Sequence, residues 1–591
     1  MMYSYGLIGN CQISSLVHES GSINWLCLPR IDSEPIFGRL LDKEGGHFSI
    51  SLPHQSKVTS SQYYLENTNI LVTELRGDDS SGVRITDFCP RFEQFGRMFR
   101  PMMLIRMLEP LGPGVSISVD CEPINGWTKK PLKKVRGNSH FRFEGGDEAL
   151  RLTTSMPLTY LDSSTPFQIQ GRVYFALTWG STISEDLPAL CENYFLQTRD
   201  YWRTWVKHCA VPTLFQKEVI RSALALKLHC YEDTGAILAA TTTSLPEEWG
   251  HTRNWDYRFC WLRDAYFTLT AFHNLGHFEE MEGFLRFLSD IAFQSEISRD
   301  RLAPVYTLSR ELPLPEKEHS RWAGYQGSQP VRSNNQAAEH IQNDVYGEMI
   351  LAFAPIYFDE RFAHLREHPY EKILERLALF SIRSIGEKDA GLWELRNTSR
   401  EHSFTNLMIW AGLERIKRLQ DMGFLRSIKI DASKECEKAV EAVKRGIKNG
   451  ILRSATDDSS MDCALSHLSL LRFPDAELAR KTVTEIRNKL SLPNGHDAFF
   501  FRYLQEDDFG VPDSAFLACS FWVAQALANL GHMEAARSVL EKAAMAANHL
   551  GLLSEHYDPV TRRQLGNFPQ TYSHVGLINA AFAVSPRWSE V

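Results

Sequence analysis

Glu555 stands in Gly551-Leu552-Leu553-Ser554-Glu555-His556-Tyr557-Asp558, between an apolar helical stretch and a Gly/Pro-broken loop, Leu565 to Gln570, that opens a run rich in small residues from Val575 to Val584. A carboxylate at such a junction can take a proton from water, and Glu555 is read as a water-activating base. A second carboxyl group, Glu394, stands in Gly391-Leu392-Trp393-Glu394-Leu395-Arg396. Glutamate is ordinarily a surface residue. An aromatic neighbour such as Trp393 would desolvate it and raise its proton affinity, the property a general acid needs near neutral pH.

A third group surrounds Arg263-Asp264 in Asn254-Trp255-Asp256-Tyr257-Arg258-Phe259-Cys260-Trp261-Leu262-Arg263-Asp264. Arg263 and Asp264 could simply be an ion pair with Asp capping a helix. The density of aromatic and charged residues around them suits a sugar better, because Trp and Tyr stack on its faces while Arg and Asp take its hydroxyls. Trp322 to Arg332 (WAGYQGSQPVR) and Arg502-Tyr503 repeat that chemistry. No metal is expected: His340 and Asp344 have helical spacing but no accompanying ligand cluster, so they read as a helix face. Ser520, beside Cys519, reads as helix packing rather than a nucleophile, and no cofactor motif is present.

The composition is that of an ordinary globular protein, with 43% hydrophobic and 23% charged residues. A net charge of -8 leaves no basic footprint for nucleic acid or an anionic membrane, so a neutral ligand is the expected partner. The 13 Trp, 19 Tyr and 34 Phe include candidates for sugar stacking. Eleven cysteines without a C-x-x-C pair read as reduced thiols. With no leader-like N-terminus and no apolar stretch of roughly 18 residues, a cytoplasmic location is the expectation.

These residues need a scaffold, and 591 residues predict two large domains. Short runs such as 46–52, 70–75, 83–88, 115–119 and 173–179, separated by turn residues, predict an N-terminal antiparallel β-sandwich over 1–186, with an opening hairpin around Ser20-Gly21. A helical stripe through Tyr194, Phe195, Tyr201, Trp202 and Trp205 predicts a helical linker over 187–212. From 213 to 591 about a dozen helices, starting near 215, 262, 278, 338, 369, 403, 432, 459, 476, 515, 533 and 571, predict paired rings in an α/α barrel. The long loops 299–336, 388–402, 493–514 and 551–570 carry aromatics, Arg and carboxylates, which marks them as functional.

At these motifs the chain resembles glycoside hydrolase family 15, the glucoamylase, glucodextranase and trehalase group. The matching pieces are GLIGNCQISSLV and SINWLCLPRIDS near the N-terminus, RNWDYRFCWLRDA, GYQGSQPVR, DVYGE, GLWELR, FLACSFW, LLSEHYDP and LGNFPQTYSHVGLINAA, in order along nearly the whole chain. The resemblance implies an α+β multidomain protein, a β-sandwich followed by an (α/α)6 barrel, and an inverting exo-hydrolase acting on α-linked glucose. Glu394 then looks like the general acid and Glu555 the general base. Arg263 and Asp264 look like the clamp on the non-reducing-end glucose, with Tyr257, Trp261, Trp393, Arg332 and Arg502 as further sugar contacts.

The first reading is a glucoamylase-type enzyme releasing β-glucose from α-glucans or gluco-oligosaccharides. A trehalase of the same family is the alternative, and a cytoplasmic location favours it. A disaccharide phosphorylase would not need Glu555, and a non-catalytic glycan-binding or regulatory protein would need neither carboxylate. Asn397 to Phe404, where the family pattern has an early glycine, and Asp513, where relatives often have Glu, depart near the expected leaving-group side. His574, Trp25, Arg30 and Asp32 receive no chemistry, although the last three suit a brace between sandwich and barrel.

Overall fold

The structure, a computed structural model, describes residues 2–591 except 54, 56, 79, 80, 163, 299, 300, 313, 368, 369 and 494. The loop expected over 299–336 therefore has its first two residues outside the described set.

The N-terminal part forms two antiparallel sheets, one of seven strands and one of eight. Alternating apolar residues place one face of each in a shared core, where Phe48 of one sheet meets Phe175 of the other edge-on at 5.9 Å. A buried charge pair fastens the layers. Arg106 donates to both carboxylate oxygens of Asp87 (2.8 and 3.1 Å) and to the carbonyls of Phe48 and Gly21 across the interface. The predicted opening hairpin pairs Ser14–His18 with Ile23–Cys27.

Helix α1, Leu187–Lys207, is capped by the Asp186 side chain, which accepts from the Ala189 N–H, and leads to the barrel. Its helices are α2 (Gln216–His229), α3 (Ala265–Leu275), α4 (Phe278–Ser298), α5 (Asp344–Phe353), α6 (Tyr370–Arg383), α7 (Ser403–Asp421) and α8 (Ala432–Arg445). A 3-10 turn, Cys463–Ser466, continued by His467–Leu470, makes α9. The last four are α10 (Ala476–Leu490), α11 (Leu517–Asn529), α12 (Met533–Ala544) and α13 (Thr571–Val584).

The ring closes through α3, α5, α7, α9, α11 and α13, each packed on the next, with the intervening helices outside. Composition decides the layer. Inner α5 is buried at every residue; outer α8 buries only a stripe through Ala432, Cys436, Ala439 and Val443. Inner helices cross closely: a Cβ on Gly347 of α5 would lie 2.1 Å from the Met408 carbonyl of α7, so only glycine fits there. The expected start near 338 moves to 344, because Gln336–Glu339 makes one 3-10 turn and then breaks.

Alternation has a functional consequence. Inner and outer helices run antiparallel, so every outer-to-inner connection emerges at one end of the barrel. Those connections, 230–264, 299–343, 384–402, 446–462, 491–516 and 545–570, are the long ones. They include the stretches expected to be functional.

The sandwich braces this end. Trp25 donates its indole N–H to the Thr241 carbonyl (2.8 Å), Asp32 accepts from the Leu308 N–H (3.3 Å) while holding Arg30 (2.8 Å), and Tyr3 donates its hydroxyl to the Gly566 carbonyl (3.1 Å). Trp25, Arg30 and Asp32 thus have the bracing place their motif suited. All eleven cysteines are free thiols, and among the described residues no helix is long and apolar enough to cross a membrane.

Candidate active site

The long connections enclose two adjoining chambers, both small and lined mainly by polar and aromatic side chains. Tyr257, Trp393, Glu394 and Arg502 line both. The inner chamber adds Trp261, Arg263, Asp264 and Glu555. The outer adds Glu247, Arg253, Arg396 and Asp508 among others. Of the residues expected from the sequence, all but Arg332 meet here.

Glu394 stands in a tight turn, its N–H donating to the Gly391 carbonyl (3.1 Å) and its φ at +62°. A non-glycine residue held there costs about 1–3 kcal/mol, which the surrounding contacts must offset. Those contacts are donors: the Trp261 indole N–H reaches Glu394 Oε1 at 2.6 Å, and Arg263 Nη1 reaches the same oxygen at 3.3 Å. The side chain stays 20% exposed, open to both chambers. The indole N–H of Trp393, its neighbour in sequence, is not among those donors. Trp393 instead turns its N–H to Asp462 Oδ2 (2.9 Å) and packs edge-on against Phe516.

Glu555 is 1% exposed. Its N–H donates to the Asn567 carbonyl (3.2 Å) and its carbonyl accepts from the Leu517 N–H (3.0 Å), which fixes it at the start of a ribbon, His556–Asp558 paired with Arg563–Leu565. Gly566 must be glycine: it has φ +71°, and a Cβ there would stand 2.5 Å from Glu555 Oε2. Burial, reinforced by the negative charge of Glu247, pushes the Glu555 carboxyl well above the usual range, against the hydrogen bond from Tyr257 and the charge of Arg502. His574 steadies this loop from behind, accepting from the Leu553 N–H (3.2 Å) and facing Ser222 (2.9 Å).

Asp264 is pushed up to about 6 by burial and by Glu394, against the pull of Arg263. Asp264 Oδ1 and Arg263 Nε are buried without hydrogen-bond partners, the condition of groups able to receive a hydroxyl. Arg502 lies across both chambers, its guanidinium 5.9 Å from the Trp393 ring and 3.1 Å from Glu247.

Arg332 lines neither chamber. Its guanidinium donates to the carbonyls of Thr252 (2.9 Å) and Asn254 (3.0 Å), pairs with Glu318 and lies over Trp255 at 4.7 Å. It holds the 252–255 turn, outside the lining of both chambers where the sequence suggested a sugar contact. The departure after Glu394 lies at the rim, where the Arg396 N–H and the Asn397 side chain donate to Asp508.

Sequence reasoning missed Glu247 and His556. Glu247 was visible only as one of two adjacent glutamates before Trp249-Gly250, and nothing in that pair says which is buried. Glu247, Glu555 and His556 form one of the two groups among the described residues with metal-ligand proximity, the other being His47, Asp120 and Glu122; His340 and Asp344 belong to neither.

A sequence profile of glycosyl hydrolases family 15 matches residues 214–582, and one described as trehalase-like, N-terminal, matches residues 3–155. A trehalase of Thermoplasma volcanium is 31% identical, with 98% of this chain and 92% of the relative covered. A trehalase of Mycolicibacterium smegmatis is 29% identical, covering 98% and 90%. Among solved structures, a bacterial glucoamylase complexed with acarbose superposes with a TM-score of 0.69 over 99% of this chain and 94% of that one, at 14% identity, a likeness of fold.

Proposed function

We propose that this chain, which belongs to glycosyl hydrolase family 15, hydrolyses α,α-trehalose to two glucose molecules with inversion at the attacked carbon. The observation that carries the proposal is the pair of small adjoining chambers with Glu394 on the wall of both and Glu555 in the inner one only. A disaccharide occupying both would put its glycosidic oxygen beside Glu394. The outer chamber is ringed by charged pairs, Arg253 with Asp507 (2.6 Å) and Arg396 with Glu316 (2.9 Å), which suit the hydroxyls of a single second sugar better than an extended glucan. Relatives along almost the full length are trehalases, so the glucoamylase-type reading gives way to its alternative.

In this reaction Glu394 donates its proton to the glycosidic oxygen as the bond to C1 breaks. Water attacks C1 from the opposite face, and its proton passes to Glu555. Arg263 and Asp264 hold hydroxyls of the inner glucose, with Tyr257 and Trp261 packed around them. Trp393 and Arg502 span the junction with the outer glucose. Both carboxyls have work only in a hydrolase; a phosphorylase or a binding protein leaves Glu555 idle.

The test is glucose release from trehalose, maltose, isomaltose, panose and soluble starch, with anomers followed by proton NMR. Trehalose cleavage with inversion yields α- and β-glucose in equal initial amounts. Release from maltose or starch but not trehalose would overturn the substrate assignment, and α-glucose alone from trehalose would overturn the mechanism.

A further inference from the structure

Three buried polar atoms meet beside the chambers: Glu247 Oε2, ion-paired with Arg502 at 3.1 Å, and Glu555 Oε2 and His556 Nε2, which have no hydrogen-bond partner. One acceptor atom from each residue lies within 4.8 Å of the other two. His556 Nε2 stands 3.5 Å from Glu247 Oε2. The ring is held from its other side by Ser514, whose Oγ lies 3.0 Å from His556 Nδ1 and 3.2 Å from the Glu247 carbonyl. The Gly566 N–H donates to the Pro246 carbonyl at 2.7 Å, tying the Glu247 strand to the Glu555 ribbon.

Two carboxylates this close repel one another unless a proton sits between them, a repulsion that Arg502 at Glu247 Oε2 offsets only in part. We infer that Glu247 is a positioning residue of the reaction: with His556 it completes, around Glu555, the seat of the proton that Glu555 takes from the attacking water. The inference rests on the reading of Glu555 as the base.

The step balances. The water O–H bond breaks, its oxygen joins C1, its proton goes to the Glu555 carboxylate, and the sugar leaving group receives the Glu394 proton. Before transfer two carboxylates face each other. After it Glu555 is neutral, and the repulsion ends, so the Glu247 charge favours the transition state over the ground state. Groups facing Glu555 are Glu247, Tyr257, Arg502, His556 and Tyr3; those facing Glu247 are Arg502, His556, Arg253, Tyr257, Glu248 and Glu555. Arg502, 3.1 Å from Glu247 Oε2, brings a fixed positive charge to the place a divalent cation would need.

The experiment is the pH profile of kcat and kcat/KM for trehalose hydrolysis by the native chain, Glu247→Gln and Glu247→Asp, each checked for folding by thermal melting. In Glu247→Gln the acidic limb should move down by about one pH unit and kcat at the plateau should fall about tenfold with KM within about twofold. Glu247→Asp keeps the ion pair with Arg502 and withdraws the charge by one methylene, so it should move the limb by a smaller step in the same direction. An unmoved limb in either folded variant, or a change confined to KM, would overturn the inference. So would loss of native activity in EDTA restored by Mg²⁺ or Mn²⁺, because a cation would then occupy the seat. Glucose release by the native chain and its loss in Glu555→Gln test the underlying reading separately; with both in place, an unmoved limb removes Glu247 alone.

Discussion

Glu394 and Glu555 are the same side chain in opposite settings. Glu394 rides on a strained turn at the chamber wall, a fifth exposed, with an indole N–H and a guanidinium pointing at one oxygen. Glu555 lies on a paired ribbon, almost fully buried, among acceptors and beside another carboxylate. Donors around a carboxyl fix its orientation toward a substrate; acceptors and burial raise the proton affinity of one that must strip a proton from water. On the proposed assignment, the acid is built for aim and the base for strength.

The strongest way to break this contrast is to remove each carboxyl. Glu394→Gln and Glu555→Gln should each lower kcat for trehalose by about 10²–10⁴-fold. With α-glucosyl fluoride, whose leaving group needs no proton, Glu394→Gln should recover most of its rate and Glu555→Gln should not; equal recovery of both would erase the distinction. Gly566→Ala pushes a methyl group against Glu555 and should cost about 10²-fold in kcat, the scale of a misplacement near one ångström, with the fluoride reaction equally impaired. Trp261→Phe keeps an aromatic ring in the inner chamber but removes the shorter of the two hydrogen bonds to Glu394, and steady-state kinetics should show about a tenfold loss on trehalose that the fluoride substrate largely escapes.

The smallest effect concerns the root of the Glu394 loop. Asp389 accepts from the Asn343 N–H (2.8 Å) and the Gly391 N–H (3.1 Å), and burial together with Asp344 pushes it up to about 8. The folded chain thus keeps a proton that the unfolded chain releases near pH 4, so this contribution to stability is complete at low pH and is lost as pH rises through about 8. Asp462, pushed up to about 7 by burial, acts in the same sense. Buried histidines such as His402 and His467, pushed down to about 4, act oppositely, but only below about pH 6.5, where an unfolded histidine charges. Between about pH 6.5 and 8.5 the melting temperature should therefore fall, and Asp389→Asn should flatten that fall by about 1–2 °C, read by calorimetry.

Much of this was legible in the residues. The stripe of Ala432, Cys436, Ala439 and Val443 announces an outer helix, and the small-residue run after Tyr572 announces an inner one, because burial on one side or on all sides leaves different periodicities. Glu394 and Glu555 were recognisable from their loops. What was not legible depends on direction in space. Arg332 in an aromatic loop can clamp a sugar or a carbonyl, and only the path of the chain shows that Thr252 and Asn254 take its protons. Glu247 and Glu248 are adjacent and chemically alike, yet one is buried against Arg502 and the other lies at the edge. Trp393 beside Glu394 in sequence proved to serve Asp462, since consecutive side chains in a turn point apart.

The hydroxyl of Tyr3 meets the carbonyl of Gly566 across 563 positions of chain. A contact that spans nearly the whole chain carries a large loop-closure cost, so it should form late. On refolding, helical circular dichroism should therefore return before the proposed trehalose cleavage does, because the ribbon that carries Glu555 stays unclamped until the N-terminal segment before the first strand and one of the last loops have found each other.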